Sequence, residues 1–501
     1  MKRRAFVSVY DKNGIEDFVR NLIDKFGYEI VAAGDTYNTL TNAGIEVVNV
    51  AEFTAPPSLL SNDYNSLNER VLAGILANSY DAKELNQLES FAIKEFDTVV
   101  INLRPFKDIE RKTSDVNEMI NQIDIVGVTL LRAAAKNYKN VTVICDKQDY
   151  YLAMNANDFG RLKLAAKVFN MISDYDRAIC SAVLTETGEN SYKSFSLEKI
   201  NDLPHGENHG QKAAVYNSSV MIDYKIENEN ELSYNDILNL TEAINITSEF
   251  YDVPAVAIVR HTKPCGVAIG KSIYEAYTKA FDCDPMSTYF GTVAFSQKVD
   301  SDTAKHLSSM AVEVIAAPEF DEDAMEILKE DSSLKIITLK TPLKEYRQLQ
   351  MEEFTVTPFG VLIQDKNNSE LKKDMFKVVT KEKPTAQQIE DAVFGWKVAK
   401  YAKTNAAIVV KNLKAVSIGQ GYTNTLTAIE SVLNQAADMA KDAVLVSDCA
   451  IPAEDCIYAA IQNRISLIIQ PGGVPKDPQI IEMADKYGIT MIMTGIKNYT
   501  H

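Results

Sequence analysis

The chain has 501 residues, 46% hydrophobic and 24% charged, with 52 Lys and Arg against 69 Asp and Glu for a net charge of −17. That composition excludes intrinsic disorder and collagen-like repeats, and the length allows roughly three domains at about 150 residues each. So acidic a chain argues against general nucleic-acid or anionic-membrane binding, which needs widespread Lys and Arg, but leaves room for small anions held by a local cluster of donors.

In chain order, AFVSVY predicts a short buried strand, DKNG a turn, and IEDFVRNLIDKF an amphipathic helix closed by Gly27. EIVAAG, TYNTLTNAG and EVVNV predict strand, short helix and strand. DTVVINL and NVTVICD are further β-branched strands, separated by the helix IDIVGVTLLRAAAKN. Such alternation implies right-handed crossovers and a parallel sheet, with ligands at the carboxyl ends of its strands. The candidate site loops are therefore VYDKNG, AAGDTYN, NLRPF and the approach to Asp124.

A long helix, DFGRLKLAAKVFNMISDYDRAICSAVL, leads into the polar stretch TETGENSYKSFSLEKINDLPHGENHG. This stretch is read as the boundary between domains at 1–195 and 196–501. AVAIVRHT, a helix near SIYEAYTKAF, and TVAFSQ resume the alternation. A charged segment around Lys329 to Glu353 is read as a connector between two α/β subdomains, with the junction roughly at 330–375. The second half carries AAIVVK, AVSIG, the helix TLTAIESVLNQAADMA, AVLVSD, SLIIQPGG and GITMIMTG.

The six Cys are scattered without a CxxC pair, which points to reduced thiols rather than a disulfide scaffold or structural zinc. The apolar part of MKRRAFVSVYDKNG is too short for a signal h-region, and no run approaches the 18 or so apolar residues of a membrane span. The expectation is a cytoplasmic protein with no metal, membrane or nucleic-acid partner.

Eight segments in order carry a resemblance: IDIVGVTLLRAAAKN, GEN-x-x-Q at Gly206 to Gln211, LSYNDILN, RHTKPCG, EAYTKAFDCDPMS, PTAQQIEDAVFGWKVAKYAKTNA, SDCAIPAEDC and IIQPGGVPKD. Together they resemble the bifunctional purine-biosynthesis family that joins AICAR transformylase to IMP cyclohydrolase. The resemblance implies a methylglyoxal-synthase-like domain followed by a transformylase domain of two cytidine-deaminase-like α/β subdomains. It implies formyl transfer from the co-substrate 10-formyl-tetrahydrofolate to AICAR, closure of formyl-AICAR to IMP, and a homodimer with transformylase sites at the subunit interface.

The transformylase reaction needs an acid–base group near neutral pKa, because a weak aryl amine must lose a proton as it attacks, and a stabiliser for the oxyanion. The family's Lys-His pair stands here as Arg260-His261, at the carboxyl end of the strand AVAIV. Arg keeps the charge but places it in a planar fork and does not deprotonate. Asn405 matches the family's Lys-x-Asn, and Asn235 matches a position near the nucleotide. The family's L-R-Y-G-E-N-P-H-Q is LPHGENHGQ here. Gly206, Glu207 and Asn208 are kept as binding candidates, while Pro204, His205 and Gly210 stand where the family has Arg, Tyr and His. His205 and His209 are the candidate replacements.

For the cyclohydrolase, the family's phosphate loop Ser-Thr-Gly-Gly-Thr is Ala32-Ala33-Gly34-Asp35-Thr36 here. Asp35 brings a carboxylate to a cradle for an anion, and also suits an N-cap of the following helix. The family's Arg and Lys of a second stretch are Asp63 and Asn65, followed by Ser66, and its tyrosine is Arg104. Asp124 and Lys136 match catalytic positions; Lys12, Gly34, Thr36, Ser66, Arg104 and Asn137 fall at binding positions. The clustered departures predict a lost or altered cyclohydrolase. Two functions stay open: a formyltransferase with a weakened second site, and a catalytically impaired member that binds nucleotide or regulates an active homologue. A zinc deaminase fails, because Pro264-Cys265 lacks the required second Cys.

Overall fold

The computed structural model describes all residues except 1–2, 55–63, 65, 190, 194, 196, 219, 350 and 372–374. The chain divides into two compact units, Met1–Ser196 and Leu197–His501.

In the first unit, strands β1 (Arg4–Val9), β2 (Glu29–Ala32), β3 (Val48–Asn49), β4 (Thr98–Asn102) and β5 (Thr142–Ile144) form a parallel sheet ordered β3-β2-β1-β4-β5. The order reverses between β1 and β4, and their carboxyl ends define the crevice where such folds take ligands. Helix α1 (Ile15–Phe26) ends at Gly27, whose φ of 68° is the left-handed cap. Helix α2 (Gly34–Asn42) is capped by Ala33, not by Asp35, which sits exposed in the first turn. The run EVVNV is strand only at β3, because the Asn49 side chain accepts the Ala51 N–H and turns the chain into a helix over Val50–Phe53. Helices α3 (Glu69–Leu76), α4 (Ile125–Lys136) and α5 (Asp158–Thr187) complete the elements used below.

The second unit opens on a hairpin that the polar sequence does not predict, β6 (Lys199–Leu203) with β7 (Ala213–Tyr216). A twelve-stranded sheet follows, built from β8 (Tyr224–Ile226), helix α6 (Tyr234–Ser248), β9 (Ala255–Arg260), β10 (Lys263–Ile269), α7 (Ile273–Phe281), β11 (Thr292–Phe295), β12 (Val314–Ala317) and β13 (Lys335–Leu339). After the separate hairpin β14 (Glu352–Thr357) and β15 (Gly360–Asp365) come β16 (Lys377–Val378), α8 (Ala386–Ala399), β17 (Ala407–Lys411), β18 (Lys414–Gly419), α9 (Thr425–Ala436), β19 (Val444–Ser447), β20 (Leu467–Gln470) and β21 (Thr490–Met493).

The sheet order, β16-β21-β20-β19-β17-β18-β10-β9-β11-β12-β13-β8, is a palindrome about the β18–β10 pair. Each half repeats the other: β17 corresponds to β9, β19 to β11, β20 to β12. The central strands are apolar on both faces, as buried strands must be. Ala257 and Val259 face α6, while Val256 and Ile258 face α7. The charged segment expected as a connector, Lys329 to Glu353, begins at a helix end and contains a strand of this sheet, since Lys335–Leu339 is the buried strand β13. Its apolar centre is only a few residues long, and the flanking Lys and Glu mask it in the sequence.

Between α6 and the β15 exit lies a buried polar seam. Glu249 accepts from Lys400 Nζ at 3.0 Å and Tyr401 Oη at 2.8 Å, with Arg347 at 3.2 Å. Burial works to raise the Glu249 pKa, but Lys400 and Arg347 overcome it and hold the carboxyl below its usual range. Lys366 donates to Asn245 Oδ1 and lies 5.4 Å from the Tyr346 ring centre. Burial pulls its pKa down to about 8, against the opposing pull of Glu242. The folded protein therefore disfavours the lysine's proton, a cost present below pH 8 and relieved as pH rises toward the unfolded value of about 10.4. Lys366→Met is expected to stabilise the protein by about 1–2 kcal/mol at pH 7, after discounting for solvent screening. Urea unfolding at pH 7 and at pH 10 checks this; the gain should shrink at the higher pH.

Candidate active sites

At the reversal point of the first unit, a cleft of about 760 Å³ is lined by Tyr10, Asp11, Lys12, Asn102, Leu103, Pro105, Asp108 and Lys147 among others. Asn102, at the end of β4, accepts the Tyr10 and Asp11 N–H groups at 2.6 and 2.9 Å and so fixes the loop that carries Lys12. Lys12 Nζ rests on the Val9 and Tyr10 carbonyls at 3.4 and 3.5 Å. Lys147 pairs with Asp11, and Lys167 with Asp146 and Asp149, so these cations are already neutralised.

Asp124 caps α4 by accepting the Gly127 N–H at 2.7 Å, and its own N–H donates to Tyr175 Oη on α5. Residue 127 must be Gly there, because a Cβ would lie 2.6 Å from Leu103 and 2.8 Å from the Asp124 carboxylate. Burial raises the Asp124 pKa, opposed by the Gly127 N–H and the Arg104 charge. Arg104 is exposed, hydrogen-bonds Gln122, and lies over the Tyr10 ring at 5.1 Å. Asp124, Arg104, Lys12 and the start of α2 thus border the β1–β4 end of the sheet.

Other expectations in this unit need correction. The Thr36 hydroxyl is spent inside the fold, accepting from Val9 N at 2.9 Å and donating to Val9 O at 3.1 Å. Only the backbone at the start of α2, with Gly34 at φ 50°, is left to face a ligand. Lys136 is exposed in the last turn of α4, twelve residues from Asp124, or about 18 Å along the axis at 1.5 Å per residue. Asn137 is structural: its Nδ2 donates to Ile75 O and Ala77 O and caps the end of α3. Ser66 is buried. Asp63 and Asn65 lie outside the described residues.

In the second unit, β9 and β10 are joined by His261 and Thr262, with φ of 53° and 58°. Two left-handed residues make the tight hairpin turn that normally favours Asn-Gly. His and a β-branched Thr are strained there. An outside bond holds the turn: Thr262 N–H donates to Asn239 Oδ1 at 2.7 Å. The symmetry mate, Asn412-Leu413 between β17 and β18, has the same turn, with both N–H groups donating to buried Asp391 at 3.0 and 2.6 Å. Asn239 and Asp391 are equivalent, each six residues beyond its helix N-cap, Ser233 (239 − 233) or Thr385 (391 − 385). Of two matched turns, only one presents an imidazole.

That imidazole is exposed beside a cleft of about 520 Å³ lined by Arg260, His261, Lys263, Pro264, Cys265, Asp284 and Gln420 among others. Gln420 donates to Pro264 O across 156 residues of sequence. On α6, Asn235 lies one turn before Asn239, about 6 Å along the axis. Asn235 Nδ2 donates to Glu207 O at 3.4 Å, which brings the Gly206–Gln211 loop to the same end of α6 as the His261 turn. Gly206 has no room for a side chain, since a Cβ would lie 2.9 Å from Gln211 Cβ. Asn208 is engaged with Gln211 Oε1. His205 binds Gly206 O, and its ring centre is 4.5 Å from that of His209. Pro204 and Gly210 are exposed and supply no cation.

Asn405 donates from Nδ2 to Tyr422 O at 3.0 Å and accepts from Thr425 Oγ1 at 3.2 Å. Its loop meets the hairpin cleft through Gly421, whose N–H donates to Lys403 O and whose Cβ direction points to Lys263 Nζ at 3.7 Å. Asn102 and Lys263 line the two clefts and Asn239 holds the His261 turn, and none of the three is among the residues expected at a site. Lys263 stands inside RHTKPCG and is visible there as a second cation; Asn239 and Asn102 stand inside LSYNDILN and NLRPF, but their partners are set by tertiary contact.

The chain is two α/β units, each with a polar cleft at one end of its sheet. Residues 134–435 match the family described as "AICARFT/IMPCHase bienzyme", and residues 14–129 match "MGS-like domain". The chain is 38% identical to the bifunctional purine biosynthesis protein PurH of Acetivibrio thermocellus and 40% identical to that of Clostridium perfringens, with 100% of both chains covered in each case. A solved chain titled "Crystal structure of ForH" is 28% identical over 36% of this chain and all of that one, with a TM-score of 0.33. This chain belongs to the AICARFT/IMPCHase family of bifunctional purine-biosynthesis proteins, with an MGS-like first domain.

Proposed function

We propose that the second unit transfers the formyl group of 10-formyl-tetrahydrofolate to the 5-amino group of AICAR in the cytoplasm, and that the first unit closes formyl-AICAR to IMP weakly or not at all. The observation that carries the transferase reading is the unequal pair of turns: symmetry repeats the hairpin, but only its first copy holds His261 between Arg260 and Lys263, at the end of α6 where Asn235 bonds the Gly206–Gln211 loop.

As the amine nitrogen bonds to the formyl carbon, His261 accepts the amine proton. Arg260 and Lys263 stabilise the charge on the formyl oxygen. Collapse breaks the bond to the folate nitrogen, which leaves with the proton from His261. Asn405 offers the donor and acceptor not used on Tyr422 and Thr425, and so orients the reacting groups. Asn235 and the Gly206–Asn208 backbone hold the nucleotide, with His205 and His209 as the available replacements for the missing cation. In the first unit, Asp124 is the acid–base group and Lys12 and Arg104 the remaining phosphate cations.

Purified protein given AICAR and 10-formyl-tetrahydrofolate should form formyl-AICAR. Tight AICAR binding with no turnover would instead favour the nucleotide-binding, regulatory reading.

The β14–β15 hairpin supports a homodimer. It pairs with no other strand among the described residues, and a lone hairpin is marginal in water. Val356 is 83% exposed, Leu362 62% and Phe359 fully exposed, an apolar surface suited to a second copy of the chain. Sedimentation should show a dimer, and Val356→Asp with Phe359→Asp should shift it to monomer at micromolar concentration.

A further inference from the structure

Asn405 is held in place from a distance. Asp448, on the β19 exit, is wholly buried and grips both of its neighbours: Thr404 Oγ1 donates to Asp448 Oδ2 at 2.6 Å, and Ala406 N–H donates to Asp448 Oδ1 at 2.8 Å. The segment Asn498–His501 then straps the same loop residue by residue. Asn498 N–H reaches Asp448 O at 3.5 Å. The Thr500 carbonyl accepts the Thr404 N–H at 2.9 Å, its own N–H donates to Thr404 Oγ1 at 3.3 Å, and its Oγ1 donates to Lys400 O at 2.9 Å. Lys403 Nζ donates to His501 O at 2.9 Å.

The Thr500 hydroxyl bond falls on the carbonyl of Lys400, the C-cap of α8, and the bonds of Lys403 and Thr404 fall on the loop beyond it. The loop from Lys400 to Asn405 leaves α8 and enters β17; the Lys403 and Asn405 backbones are tied to Gly421 and Tyr422, while Asp448 and the strap hold Thr404 between them. What the loop delivers is one carboxamide with a fixed orientation: one N–H is used on Tyr422 O, one lone pair on Thr425 Oγ1, and one of each is left to point outward. A carboxamide free to turn would offer its donor and acceptor in either order, and misplacement of a positioning group by about 1 Å costs on the order of 10²-fold in rate.

We infer that Asp448 and Thr500 are positioning residues for formyl transfer, acting through the Thr404–Ala406 backbone to hold the Asn405 carboxamide. The inference rests on the transferase reading of the second unit. Neither residue touches substrate; both work on turnover rather than on nucleotide affinity, because the nucleotide is gripped elsewhere, by the 206–211 loop and Asn235.

The test uses the full chain with Thr500→Val, which keeps the shape of the side chain but removes the hydroxyl bond to Lys400 O, with Thr500→Ser, which restores it, and with Asp448→Asn. Hydrogen–deuterium exchange of the 400–410 peptide and steady-state formyl transfer are both measured. Thr500→Val is expected to speed exchange at 403–406 about tenfold and to lower kcat about 10- to 100-fold, with KM for AICAR within about threefold and melting little changed. Thr500→Ser should recover both nearly to wild type, and Asp448→Asn should exceed Thr500→Val in both effects wherever it folds. Unaltered exchange at 403–406, wild-type kcat in Thr500→Val, a loss carried by KM alone, or no recovery with Ser overturns the inference. If the wild-type chain transfers no formyl group, the transferase reading fails by itself and exchange at 403–406 alone decides whether the clamp exists.

Discussion

Replacing His261 with Ala is expected to lower the turnover of formyl transfer by about 10² to 10⁴-fold, the range that a positioned acid–base group contributes. The imidazole stands exposed at the tip of the β9–β10 turn, so its loss opens no cavity in the core. The turn itself separates catalysis from folding. A non-glycine residue at φ 53° carries strain of about 1 kcal/mol or more, and Asn tolerates that conformation better than His. His261→Asn should therefore melt at or slightly above the wild-type temperature while being as inactive as His261→Ala. Turnover retained in either variant would remove His261 from the chemistry, and a collapse of both melting transitions would make it a folding residue.

The second large effect is an asymmetry between the units. Cyclisation of formyl-AICAR by the full chain should fall at least about 10²-fold, in kcat/KM, below what a site with both phosphate cations in place would deliver. The family's Arg and Lys of the second phosphate stretch are Asp63 and Asn65 in this sequence. A charge-assisted hydrogen bond to phosphate is worth about 1.5–3 kcal/mol, so removing two of them weakens binding by about 10²-fold or more. In the described part of the cleft, Lys147 and Lys167 are neutralised by Asp11, Asp146 and Asp149, which leaves Lys12 and Arg104 to meet a dianion. Asp35, in the first turn of α2, sets a carboxylate against the helix end that would otherwise attract phosphate. Asp35→Gly should raise kcat/KM for cyclisation several-fold without touching formyl transfer. Calorimetric titration of formyl-AICAR, with IMP formation followed at its absorbance, reads both quantities; micromolar binding with efficient closure would show that Arg104 has rebuilt the site.

The elements of this protein are largely legible in one dimension. Strands such as AFVSVY, DTVVINL and AVAIVR are apolar on both faces because helices cover both sides, and that burial writes an uninterrupted run into the sequence. The Gly27 cap and the helix IDIVGVTLLRAAAKN are legible for the same reason: their signals are local. Where local signals compete, the pattern misleads. Asn49 caps a helix inside a β-branched run, and charged neighbours hide β13. The motif RHTKPCG stands out in the sequence, and the chemistry proposed for it is what the family resemblance implies.

What the sequence by itself determined is therefore the set of chemical groups and the order of the elements that carry them. What only the tertiary structure decided is which groups meet. Thr36 and Asn137 are spent on Val9 and on the end of α3, and Lys136 is separated from Asp124 by the length of a rigid helix. Asn239 reaches the His261 turn, and Thr500 reaches the Asn405 loop across 96 residues. In the second unit the palindromic sheet sets such distances, because contacts between residues far apart in sequence depend on packing geometry that no local pattern of side chains encodes.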